Sequence, residues 1–177
     1  MAYLLLDDLK TYLGIGGDAE NAILTDLLAA AEAAINAYCD RVFAASSDTT
    51  RTFTAAHDAE GARLYLDTDL CQVTSIVNGN PAGSTIAPAD YAFLPSDPPY
   101  HSILLRPTAL VVWEGDITIT GRWAYSIAPP VSIVQATREY AGHLYHIADQ
   151  QAVHSNRPTL AMPEHIQQLL ASYRRLR

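Results

Sequence analysis

The chain has 177 residues, 49% of them apolar, which suffices for one filled core, or a core with a small sub-domain, but not for two full domains. Eleven basic residues stand against nineteen acidic ones, a net charge of −8; three arginines against Glu164 give the C-terminal helix +2 and leave −10 for the remainder. Lys10 is the sole lysine and the internal arginines are scattered singly, so the clustered basic surface that phosphate neutralisation requires is missing and sequence-reading DNA binding is excluded.

In chain order, Asp8 to Leu13 is expected to form a helix of about two turns, capped by Asp7 and ended by the run GIGG. A longer helix follows with Asp18 as N-cap, its apolar positions Ile23, Leu24, Leu27, Leu28, Ala31, Ile35, Tyr38 and Val42 recurring every three or four residues. Glu20, Asp26 and Glu32 interrupt this alanine-rich stretch, and the opening YLLL is only four residues long. Neither is expected to be a secretory leader or a membrane span. Cys39 and Cys71 lack CxxC spacing, which suits reduced thiols in a cytoplasmic protein.

After Phe43 the period changes from helical to two. Strands are expected at Arg51 to Ala55, Ala62 to Leu66, Val73 to Val77, Tyr91 to Leu94, Ser102 to Leu105 and Asp116 to Trp123. NGNPAG supplies turn chemistry, because Asn and Gly tolerate positive φ, and LPSDPPYHS reads as a loop. Pro129 and Pro130 open a helix to about Gln151 with the stripe Ile133, Ala136, Tyr140, Leu144 and Ile147. AVHSNRPTLAM links it to a terminal helix with Pro163 in its first turn. The fold class is α+β: a mainly helical platform of about four helices, two at each end of the chain (about 7–42 and 130–177), with an inserted antiparallel β region at about 50–125, together one domain over 1–177.

Three patterns invite a chemical reading. In HLYHIAD, His143, His146 and Asp149 recur every three residues and could reach one metal, as in a small metal-dependent hydrolase; against this, the angular drift over six residues is large and the HExxH arrangement is absent. GIGGD lacks both the preceding strand and the following lysine of a phosphate loop and fits a helix-helix turn. There is no GxSxG, and a thiol at Cys39 on an apolar helix is inert. No cofactor is expected. Ten tyrosines and two tryptophans fall mostly near stripe positions, so core packing is the default for them, although these residue types also dominate protein interfaces.

The order and texture of the segments resemble the head-tail connector, or head-completion adaptor, family of long-tailed bacteriophages and gene transfer agents. LDDLKTYLGI and DAENAILTDLLAAAEAAINAYCDRVF look like the family's opening helices. CQVTSIVNGN, DYAFLP and ITITGRWAYSIAPPVSIVQA are similar to its strands and Pro-initiated helix, and MPEHIQQLLASYRRLR resembles its terminal helix. The resemblance implies a non-enzymatic structural protein of the virion, made in the host cytoplasm and seated at the head-tail junction. It implies a ring of about twelve copies below the portal protein, a platform for a tail or stopper protein, with DNA passing through unbound and no membrane. A monomeric stopper one layer below is the weaker fit, since strands would dominate it.

In the terminal helix Ile166, Leu169, Leu170, Tyr173 and Leu176 fall on one stripe, so most of it is a docking surface. Arg174, Arg175 and Arg177 in the last turn either offset that helix's own dipole, by about 0.3–1 kcal/mol each, or meet acidic residues on a portal or an adjacent subunit.

Overall fold

The computed structural model describes residues 2–153 and 161–175, with backbone alone over 149–153. By internal contacts the chain divides into a helical unit, Met1–Arg41 with Pro129–Arg177, and a β unit, Val42–Ala128. The fold is α+β, with five described helices and two antiparallel sheets.

In the helical unit α1 spans Leu6–Leu13, α2 Asn21–Cys39, α4 Val131–Val153 and α5 Glu164–Leu170. Both expected N-caps move. Asp7 lies inside α1, whose cap position is Leu5, and Asp18 precedes α2 by three residues. Asp18 instead ties down the turn, accepting from Lys10 Nζ at 2.8 Å and Asn21 Nδ2 at 3.1 Å, and these bonds hold its carboxyl below the usual range. GIGG is a helix-helix turn, with Gly14 at φ +74° closing α1. α2 ends at Cys39, short of Val42, because Asp40 turns left-handed at φ +53° and its N–H closes back onto Asn36.

The core stripe of α2 is Leu24, Leu28, Ala31, Ile35 and Cys39, all buried; Ile23 and Val42 lie outside it and are exposed. By length and composition α2 is the one described helix that could cross a membrane, but this stripe packs on α4, and Glu32 accepts the N–H of Tyr3 at 2.6 Å. α4 buries Ile133, Ala136, Thr137, Tyr140, Ala141 and Ile147, as its periodicity predicts, with Leu144 half-buried. The alanines let α2 and α4 approach closely.

In the β unit β1 is Thr49–Thr54, β2 Ala59–Glu60, β3 Arg63–Leu70, β4 Gln72–Val77, β5 Tyr91–Leu94, β6 Tyr100–Leu105 and β7 Asp116–Arg122. β1-β7-β4 form one sheet and β2-β3-β6-β5 the other, every pairing antiparallel. A one-turn helix, α3 (Ala55–Asp58), follows β1 and takes Ala55, the last residue of the expected strand. Alternation sets the faces: on β7, Ile117, Ile119 and Gly121 point inward between Thr118, Thr120 and Arg122. Both sheets contribute to one apolar cluster including Phe53, Leu64, Leu70, Ile76, Ile103, Ile119 and Trp123. A Cβ on Gly121 would stand 2.2 Å from the carbonyl oxygen of Gln72, so only glycine lets β4 pass, beside its irregularity between Val73 and Ser75.

Candidate functional site

The C-terminal segment departs from a continuous helix. Pro163 takes the N-cap position of α5, Ala171–Tyr173 tighten into a 3-10 turn, and Arg174 is extended at φ −65°, ψ 132°. The helix stops because the backbone turns to serve another element: the N–H of Arg175 donates to the carbonyl of Cys39 at 2.9 Å, satisfying one of the orphan acceptors at the end of α2. The Arg174 guanidinium lies 5.0 Å from the ring centre of Tyr38. The Arg174 charge therefore lies beside the C-terminal end of α2, where a cation is favourable.

Of the predicted docking residues, Ile166 and Leu170 are fully buried in the helical unit, where α5 packs on α4, and do not face outward. Leu169 is 38% exposed, Tyr173 and Arg175 are half-buried and Arg174 is exposed. Arg177 and Leu176 lie outside the described residues. What reaches solvent here is a mixed edge of Leu169, Tyr173 and Arg174 rather than the whole stripe.

Burial pushes the thiol of Cys39 up to about 11, although Arg41 and Arg174 pull the other way. Cys71 is likewise buried and its thiol raised by desolvation. Both are protonated and inert at neutral pH.

Among the described residues the histidines assemble no metal site. His143 is half-buried, its ring 6.3 Å from that of Tyr140, while His146 is exposed against Tyr145, with ring centres 5.8 Å apart. His165 on α5 points instead to Glu139, Nε2 to Oε2 at 3.3 Å. Burial, with His165 and His146 nearby, lowers the pKa of His143. The side chain of Asp149 lies outside the described residues, and among those described no group of three His, Cys, Asp or Glu could hold a metal ion. The hydrolase alternative finds no support here.

Sequence reading missed the segment between β6 and β7. Here Leu110 is fully exposed and Val112 69% exposed, while Trp113 between them and the strand is buried. The base is clamped: Asn78, itself buried, donates to the carbonyl of Val112 at 2.8 Å and accepts from the N–H of Glu114 at 3.0 Å, and Trp113 Nε1 donates to the carbonyl of Ala62 at 2.8 Å. The signal was the charge-free run PTALVVW, which fits neither a helical nor an alternating period.

Residues 3–77 match the model of the phage gp6-like head-tail connector protein family. No curated protein sequence matches the chain. Among solved structures, a chain from the neck of an empty GTA particle computed with C6 symmetry has a similar fold, with a TM-score of 0.70 and 22% identity over 99% of this chain and 91% of that one. A chain from the neck of a native GTA particle computed with C12 symmetry gives 0.65 and 22%, over 97% and 88%. A chain from the virion of a native gene transfer agent particle gives 0.66 and 22%, over 99% and 91%.

Proposed function

We propose that this chain is a structural, non-enzymatic head-tail connector that assembles as a ring at the neck of a phage or gene transfer agent particle. The helical unit and the β unit together make one connector domain. The observation that carries this reading is the coincidence on one chain of a connector-family N-terminal segment and a whole-length likeness to neck proteins from particles reconstructed with cyclic symmetry. The ring sits between the portal protein and a tail or stopper protein. The charge fits: with −10 outside the terminal helix, the body repels a duplex, so DNA slides through without specific binding.

The terminal segment is the proposed portal or subunit contact, in a narrower form than a free docking helix. Ile166 and Leu170 hold α5 on its own unit, and Leu169, Tyr173, Arg174, Arg175 and Arg177 form the contacting edge. Arg174 is the informative position. Its stacking on Tyr38 is worth about 0.5–1 kcal/mol at an exposed site, a small part of the stability of a domain. Arg174→Ala should therefore barely move the melting temperature yet reduce ring formation on a cognate portal, counted by negative-stain imaging together with solution mass. Absence of rings from the wild-type chain with portal present would overturn the connector reading; rings unaffected by Arg174→Ala would remove only the tail contact.

A further inference from the structure

The clamped loop between β6 and β7 both lines a groove and carries an exposed leucine. Leu105 to Pro107, Ala109, Val111 and Val112 line a largely apolar groove of about 360 Å³ together with Gly61 and Ala62. Leu110 sits between Ala109 and Val111 yet takes no part in that lining, and it is fully exposed. The loop thus contributes both to a hole, through the residues that line the groove, and to a knob outside it, Leu110. Its base does not yield. Besides the Asn78 and Trp113 bonds, the backbones of Gly79 and Gly115 touch so closely that a Cβ on Gly115 would stand 2.3 Å from the carbonyl oxygen of Gly79. A fully exposed leucine on so fixed a base is pre-organised for an apolar partner, because little entropy remains to be lost on binding.

We propose that Leu110 of one copy enters the groove beside Ala62 of the next copy, forming a subunit contact of the ring. The inference rests on the ring reading above and names its surface. Three observations select a second copy as occupant. Copies at net charge −8 repel one another except where a surface is neutral, and Pro107 to Trp113 carries no charge. The charges flanking that run are opposite and both exposed, Arg106 at the rim of the groove and Glu114 behind the knob, so an entering loop brings its Glu114 toward its neighbour's Arg106. Knob and hole are different parts of one surface, so pairing the knob of each copy with the hole of the next is head-to-tail, the type of contact from which closed rings are built. An anionic membrane surface is a poor occupant for the same acidic body.

The test uses the full chain carrying Leu110→Cys and Ala62→Cys together, treated with a short bis-maleimide after assembly on a portal. Both positions are exposed, and the native Cys39 and Cys71 are buried. A ladder of covalent oligomers running past the dimer, absent from either single variant, is the expected result. Leu110→Asp should in addition weaken self-association about tenfold or more, with the Trp fluorescence of the β unit unchanged. Crosslinking that stops at the dimer would overturn the head-to-tail contact. Rings that form normally with no crosslink and no effect of Leu110→Asp would overturn the proposal and leave the connector reading intact, including the case in which only tail attachment fails. No rings and no crosslinks would sink both; a ladder without rings would uphold the contact and sink the closed ring.

Discussion

The helical unit and the β unit both bury apolar stripes, but they solve the packing differently. In the helical unit the fully buried positions include Ala31, Ala136 and Ala141, so helix backbones come close and each large residue, Leu24, Ile35 or Ile133, sits among small ones. In the β unit the apolar cluster to which both sheets contribute is made of large side chains, Leu64, Ile76, Ile103, Ile117 and Ile119 with Trp113 and Trp123, because two sheets held apart by their side chains need bulk to fill the gap. The exposed features follow the same division. The basic tail of the helical unit folds back to cap α2, whereas the apolar tip of the β unit is clamped outward. The unit with small contacts holds its loose end by backbone bonds to a helix terminus, and the unit with large contacts presents a side chain to solvent.

Core truncations test the comparison hardest. Ile35→Ala in α2 and Ile119→Ala in β7 each remove a fully buried side chain and should cost about 2–5 kcal/mol in denaturant unfolding. Both tryptophans belong to the β unit, so fluorescence reports that unit while the helical circular dichroism signal reports chiefly the other. Each variant is expected to move its own probe first. Coincident shifts of both probes in both variants would show that the two packing modes share one cooperative transition, and the comparison would reduce to geometry.

A smaller effect is expected at the clamp. Asn78→Ala leaves the carbonyl of Val112 and the N–H of Glu114 without their side-chain partner and should cost about 1–3 kcal/mol, with faster amide exchange at Glu114. If exchange at Glu114 stays slow, the tip is held by Trp113 and the Gly79 and Gly115 contact alone.

The smallest effect is electrostatic and belongs to the helical unit. Cys39 titrates near 11 when folded against an ordinary value near 9, so the folded state keeps its proton longer. Its contribution is complete below pH 9 and is lost as pH rises from 9 towards 11, by about 1 kcal/mol at pH 10. A Cys39→Ser chain should lack this alkaline slope, measured by urea unfolding between pH 8 and 10.5, and a slope that persists would assign it to other groups.

Much of the fold was legible because periodicity reports burial directly. Leu24, Leu28, Ala31 and Ile35, the α4 positions Ile133, Ala136, Tyr140 and Ile147, and the alternation of Ile117 and Ile119 all appear in the residues and all appear in the core. Capping was read less well. Asp7 and Asp18 have the right chemistry for N-caps, but the helix starts depend on how the Lys10 and Asp18 pair closes the intervening turn. The candidate site was legible only in part: the apolar period of Ile166 and Leu170 showed in the sequence, but these two residues, expected to dock on a portal or subunit, are buried within their own unit, and that partner was invisible from local spacing.

By itself the sequence determined the general class of the protein, acidic and α+β with helices at the two ends of the chain and strands between them, because composition and period are properties of the chain alone. Only the tertiary structure decided which surfaces remain free. Whether Leu170 faces a neighbour or its own unit, whether Arg174 serves its own helix or α2, and whether Leu110 is core or knob depend on which distant segments meet, and long-range contact leaves no period in the residues that make it.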